Sequence, residues 1–159
     1  MSGRGTPATL AAERAGIDFR VHEYEHDPRA PAYGLEAAER LGLDPARVLK
    51  TLVAELDGKD LLVALVPSAR ELNLKALAAA AGGKRTGLAD PRAAERATGY
   101  VVGGISPLGQ RRRLPTFVDD AAPADGRVYV SGGRRGLELE LSLADLLRLT
   151  EGRQAPLAR

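Results

Sequence analysis

Ile17, Phe19 and Val21 alternate with Asp18, Arg20 and His22, and this two-residue period predicts a half-buried strand over residues 17–24, broken at Asp27-Pro28. Before it, Thr6 offers an N-cap, Pro7 a first helical position and Gly16 a stop, so residues 7–15 are expected to be helical. A short helix is predicted from Gly34 to Leu41, stopped by Gly42, with a helical turn beginning at Asp44-Pro45. The stretch "VLKTLVAELDGKDLLVALV" holds two β-rich runs around Asp57-Gly58, a dipeptide suited to a tight hairpin turn. Asn73 can cap "LKALAAAAG", closed by Gly82, and Asp90-Pro91 can cap "RAAERATG", closed by Gly99. "TFVDD", "RVYVSGG" and "GLELEL" then read as short strands. Ser142 with Asp145 begins a last helix, "LADLLRLT", and residues 152–159 are expected to fray.

Strands and helices interleave, while the central hairpin and the strand-rich second half exclude a purely parallel sheet. The expected class is a mixed α/β domain spanning 1–159, with no repeat or linker to mark a second domain.

Composition narrows the chemistry. Cysteine is absent, which removes disulfides, thiolate nucleophiles and Cys-ligated metals and suits a reducing, cytoplasmic setting. "MSGRGTPATL" lacks the apolar core of a signal peptide, and no apolar run reaches membrane-span length. The formal net charge is only +2, so charge alone does not demand a polyanionic partner. What matters is where the arginines stand.

"HEYEH", His22 to His26, matches the H-E-x-x-H letters of zinc proteases. That motif needs a helix to bring both imidazoles to one ion, whereas the preceding alternation predicts a strand and Pro28 blocks helical continuation. Gly104 to Gly109 imitates a P-loop, but Gln110 and Arg111 occupy the places of its Lys and Ser/Thr. Bare backbone in "GYVVGGISPLGQRRRLP" lets N–H groups approach an anion, or simply makes a tight turn with solvent-facing arginines. "SGGRRG", Ser131 to Gly136, repeats the combination, and the two segments together suggest a shared phosphate-facing rim.

Lys50 falls in register with Leu52, Ala54 and Leu56, so a cation begins an apolar strand face while Thr51 points the other way. Its ammonium must snorkel outward, pair with an acid, or await an anionic or carbonyl group. Neither a Ser-His-acid arrangement nor a nucleophile elbow can be assembled around Ser68, Ser106 or Ser131.

"YEHD", "VLKTL", "TGYVVGGISPLGQRRRLPT" and "VYVSGGRRGLELEL" together resemble the YbaK/EbsC family of aminoacyl-tRNA deacylases, in particular the group acting on Cys-tRNA(Pro), from about Thr6 to Leu149. The resemblance implies a compact α/β domain with a convoluted, barrel-like mixed sheet flanked by helices, related to the editing domain of prolyl-tRNA synthetases. It implies clearance of mischarged tRNA in trans, with aminoacyl-tRNA and prolyl-tRNA synthetase as partners, no DNA or membrane partner, and no metal or cofactor. By the same resemblance Lys50, Gly103 and Gly104 are the catalytic positions. Tyr24, Tyr33, Thr51, Ile105, Ser106, Pro107, Ser131, Gly132 and Glu138 are then expected to surround the terminal adenosine and the aminoacyl group, and the arginines beside the glycine-rich segments, Arg111, Arg112, Arg113, Arg134 and Arg135, are expected to face tRNA phosphates. The chain departs from the family where Tyr33 replaces a common Phe and Glu138 a common Asp, and both changes enlarge groups that would shape the pocket. A bound cysteine could attack its own ester, leaving the protein to position it and stabilise charge. The rival reading is a module that binds aminoacyl-tRNA or a synthetase without cleaving the ester.

Overall fold

Thr6 opens the first helix, α1 (Pro7–Ala15), with its hydroxyl accepting from the Thr9 N–H, and Gly16 ends it in a left-handed conformation. A computed structural model of the chain describes residues 5–29, 33–123 and 125–159, with residues 33 and 34 described by backbone alone. The remaining helices are α2 (Tyr33–Leu41), α3 (Leu74–Ala81), α4 (Pro91–Thr98) and α5 (Leu143–Thr150). Asn73, Asp90 and Ser142 cap the last three through side-chain oxygens that accept backbone N–H groups.

The strands are β1 (Arg20–Glu23), β2 (Leu49–Leu56), β3 (Asp60–Pro67), β4 (Thr86–Leu88), β5 (Thr116–Asp119), β6 (Arg127–Ser131), β7 (Leu137–Ser142) and β8 (Arg153–Ala155). β2 and β3 form the expected hairpin, and Asp57 and Gly58 at its tip both take positive φ, 53° and 68°, as a type I′ turn requires. The Asp57 carboxylate also accepts from the N–H groups of Lys84 and Arg85, which ties the tip to the segment before β4.

The class is mixed α/β, as expected, although the strands form two sheets instead of a closed barrel. One is antiparallel in the order β1-β7-β6, the other mixed in the order β4-β2-β3-β5-β8. A parallel bridge between Val48 and Tyr129 links them. Leu49, Val53, Leu65 and Val118 from the larger sheet meet Val128, Val130, Leu139 and Leu141 from the smaller one in the principal core, which α1, α4 and α5 close. The other face of the larger sheet packs Ala54, Leu62, Ala64 and Val66 against Leu77 of α3 and Leu157.

The tail does not fray. β8 pairs in parallel with β5, Leu157 is fully buried, and the buried Asp119 carboxylate accepts from the N–H groups of Leu157 and Ala158 at 2.8 and 2.9 Å. "RQA" shows no apolar alternation because backbone pairing and one distant carboxylate hold it in place. The strand predicted over 17–24 is shorter, since Ile17 and Phe19 reach the core from an unpaired approach and the ladder begins at Arg20.

Candidate active site

The first residues of β2, the loop after α4 and the β6–β7 connection converge on a cleft of about 440 Å3. Lys50 and Thr51 enter it from β2, Gly103 and Ile105 from the loop, and Ser131, Arg134, Arg135 and Glu138 from the smaller sheet. Tyr24, just past β1, completes this wall, its N–H donating to the Gly136 carbonyl at 2.9 Å. The register expected for Lys50 holds: Leu52, Ala54 and Leu56 share its row and pack on the outer core, while Leu49 and Val53 of Thr51's row pack on the principal one.

The two glycine-rich segments lie against each other. A Cβ on Gly104 would stand 2.7 Å from the Arg134 Cα, a backbone contact that cannot yield cheaply. Gly103 takes φ +95°, and a Cβ there would meet the Arg135 Nε at 2.4 Å. Only bare backbone lets the loop and the arginine pair approach this closely.

Three polar groups in the cleft stand without protein partners among the described residues. Lys50 makes no ion pair or hydrogen bond; burial pushes its ammonium's pKa down, partly offset by the charge of Glu71. The Thr51 hydroxyl is buried and unbonded. Glu138 is 7% exposed, receives no hydrogen bond, and burial pushes its carboxyl up to about 8, so it is mostly protonated at neutral pH. Burial likewise raises Tyr24 to about 12, so its phenol stays neutral. A cation, a hydroxyl and a neutral acid thus face one space with their bonding capacity unspent. Such a site can offer hydrogen bonds and a positive charge to a polar ligand, and among the described residues no histidine or thiol lines it to act as a strong base or nucleophile.

The aminoacyl-tRNA editing domain model matches residues 29–149. The chain belongs to the aminoacyl-tRNA editing domain family. It is 38% identical over 118 residues to "Putative Cys-tRNA(Pro)/Cys-tRNA(Cys) deacylase EbsC" of Enterococcus faecalis, covering 74% of this chain and 72% of that protein. It is also 36% identical over 99 residues to a proline–tRNA ligase of Moorella thermoacetica, 62% of this chain but 17% of the ligase. Among solved structures it superposes on "a putative trans-editing enzyme for prolyl tRNA synthetase" with TM-score 0.85 and 25% identity, covering 100% of this chain and 99% of that one. A second, "hypothetical protein APE2540", gives 0.84 and 25% over 96% and 99%. The function class is therefore aminoacyl-tRNA editing, and the substrate class aminoacyl-tRNA.

Within this editing domain, the remaining expected site residues fall into three groups. Gly104 and Gly132 pack behind the cleft wall; Ser106 is fully buried with its Oγ accepting from the Leu108 N–H; Pro107 lines a second cavity of about 290 Å3 behind the loop. Arg111 and Arg112 donate their backbone N–H groups to the Thr98 and Ala97 carbonyls, and Arg113 pairs with Glu151, so none of the three lines the cleft. Tyr33 opens α2, and its side chain lies outside the described residues.

The apolar side of the cleft is not apparent in the sequence. Leu35, Leu88 and Val102 line it although they are 41%, 65% and 36% exposed, unusual for large apolar groups in three separate segments. Their signal is faint: Leu88 ends the three-residue strand β4, where a single apolar residue carries no distinctive pattern. His22 and His26 do not converge, since His22 Nε2 meets Glu140 at 2.7 Å and His26 Nδ1 meets Glu36 at 2.7 Å. Among the described residues no cluster of three or more His, Cys, Asp or Glu could hold a metal ion, and no helix is long and apolar enough to cross a membrane.

Proposed function

We propose that the protein is a trans-acting deacylase of Cys-tRNA(Pro) that acts by substrate-assisted chemistry. The observation that carries this reading is the convergence of the unpaired Lys50 ammonium, the unbonded Thr51 hydroxyl and the Gly103 backbone on one cleft. The ester is already activated. The cysteinyl sulfur attacks its own carbonyl carbon, a C–S bond forms, the C–O bond to the ribose breaks, and the proton lost from sulfur ends on the departing ribose oxygen. Lys50 stabilises the charge that develops on the carbonyl oxygen or holds the terminal nucleotide. Thr51 and the protonated Glu138 offer hydrogen bonds to the aminoacyl group, and Tyr24 and Ser131 shape its seat. Gly103 and Ile105 bring backbone close to the terminal adenosine, and Arg134 and Arg135 meet phosphates of the unpaired 3′ end.

Arg111 to Arg113 serve, on this reading, tRNA farther from the ester. The likeness to a prolyl-tRNA ligase supports a working association with that synthetase, which charges the tRNA to be cleared. The test is incubation with tRNA(Pro) carrying cysteine, alanine or proline, beside Lys50→Ala. The reading expects Cys-tRNA(Pro) to be cleared at least about tenfold faster than in buffer, the other two more slowly, and a trapped cyclic thioester. Ester loss equal to buffer for all three substrates would leave only a binding module.

A further inference from the structure

His22 is absorbed by strand pairing, but His26, at the other end of "HEYEH", leads to the cleft. Its Nδ1 lies 2.7 Å from Glu36 Oε1, and Glu36 Oε2 accepts the Asp27 N–H at 2.7 Å. Glu36 is buried; although burial pushes its carboxyl up, the Asp27 N–H and His26 together hold it below the usual carboxylate range. It is an anion and accepts only, so Nδ1 carries the hydrogen of this contact. On its other side His26 presents Nε2 to Arg135 Nη1 at 3.3 Å. Arginine only donates, so this contact is a hydrogen bond in the tautomer that keeps its hydrogen on Nδ1 and leaves Nε2 to accept. Arg135 Nη2 in turn faces the Val102 carbonyl at 3.5 Å, and the guanidinium lies over Gly103, where any Cβ would collide with it.

We propose that His26 and Glu36 are positioning residues for Arg135, holding its guanidinium across the Gly103 backbone at the cleft mouth as a pre-set contact for a phosphate of the tRNA 3′ end. A free arginine side chain gives up considerable rotamer freedom when it grips a phosphate, and a fixed one has already done so. The relay explains why a histidine with a buried carboxylate sits beside a site whose chemistry needs no imidazole. It also explains why the loop is glycine at 103: a side chain would evict the guanidinium. This inference rests on the deacylase reading for its substrate, but its geometry concerns nucleic-acid binding and can be tested without ester cleavage.

The experiment measures equilibrium binding of an uncharged acceptor-stem hairpin ending in CCA, and the ratio of kcat/KM for aminoacyl-tRNA to that for 3′-aminoacyl-adenosine, which lacks the internucleotide phosphates. Arg135→Ala should weaken hairpin binding about tenfold, the low end for a charge-assisted hydrogen bond, and lower the kcat/KM ratio by a similar factor. His26→Ala should weaken it about three- to tenfold, and the double variant no more than Arg135→Ala alone, because the histidine acts through the arginine. Arg135→Ala should reduce the salt slope of binding by about 0.7, the share of one phosphate contact on a single strand, and His26→Ala should reduce it by a part of that. His26→Gln, with a neutral donor and acceptor, should recover most of the affinity, and Arg135→Lys should not. Additive effects of the two alanine changes, or an unchanged salt slope in His26→Ala, would overturn the proposal. Melting curves identify a variant that fails to fold, in which case the Arg135→Lys and His26→Gln pair decides. A wild-type protein that binds the hairpin as described yet clears no ester would sink the deacylase reading and leave this one standing.

Discussion

Replacing Glu138 by glutamine is expected to remove the loss of stability that this carboxyl causes between pH 5.5 and 7.5. In the folded chain this carboxyl is 7% exposed, accepts no hydrogen bond among the described residues, and is pushed up to about 8 by burial from an ordinary 4.5. Between those two values the native state keeps a proton that the unfolded chain has released, so the contribution of Glu138 is fully present below 4.5 and is lost as pH rises towards 8. At 1.36 kcal/mol per pH unit the whole span amounts to roughly 5 kcal/mol, and the window from pH 5.5 to 7.5 to roughly 3 kcal/mol. Burial also pushes the carboxyls of Glu36 and Glu140 up, but hydrogen bonds hold both below their ordinary value. Their contribution is present above it and is lost only as pH falls further, outside this window. Urea unfolding of the wild type and Glu138→Gln at closely spaced pH values isolates the effect, because histidine contributions are common to both. The stability difference should widen in favour of the glutamine variant by roughly 3 kcal/mol across the window. A difference that stays flat would refute the reasoning, by showing the carboxylate to be solvated or paired in solution.

Lys50→Met should lower kcat/KM for aminoacyl-tRNA about 10- to 100-fold, the range for a hydrogen bond from a charged group, while the melting temperature holds or rises because the ammonium has no partner in the fold. Steady-state kinetics and calorimetry on one preparation check both halves. Thr51→Val should raise the stability of the free protein by about 1 kcal/mol, since it deletes an unbonded buried hydroxyl, and should slow deacylation; a loss of stability would mean that the hydroxyl is satisfied without substrate. Asp119→Ala strands the N–H groups of Leu157 and Ala158 and should cost about 2–4 kcal/mol in urea unfolding, with β8 amides losing hydrogen-exchange protection first.

Most of the frame was legible because local chemistry and tertiary structure agree in it. Asn73, Asp90 and Ser142 cap where a short polar side chain precedes an apolar helical pattern, and Asp57-Gly58 turns where both residues tolerate positive φ. The register of Lys50 was legible for the same reason, since period-two alternation sets its row before any partner is known. The arginine runs show the limit. Arg111 to Arg113 and Arg134-Arg135 both follow glycine pairs, yet only the second run reaches the cleft, because the backbone of the first docks on the last carbonyls of α4. β8 was illegible for a related reason: its place depends on β5 and Asp119, more than 30 residues away, and three residues carry too little pattern to announce that. The His26–Glu36–Arg135 relay joins three segments by side chains alone, so no spacing in the sequence could reveal it.

The cleft itself can be interrogated most directly with a crystal soaked in a 3′-cysteinylamino-adenosine, whose amide link replaces the labile ester. The account predicts the acyl carbon within reach of Lys50 Nζ, a polar atom of the ligand bonded to the Thr51 hydroxyl, and the adenosine against Gly103. Density in the smaller cavity behind Pro107 instead, or an empty cleft at saturating ligand, would contradict it.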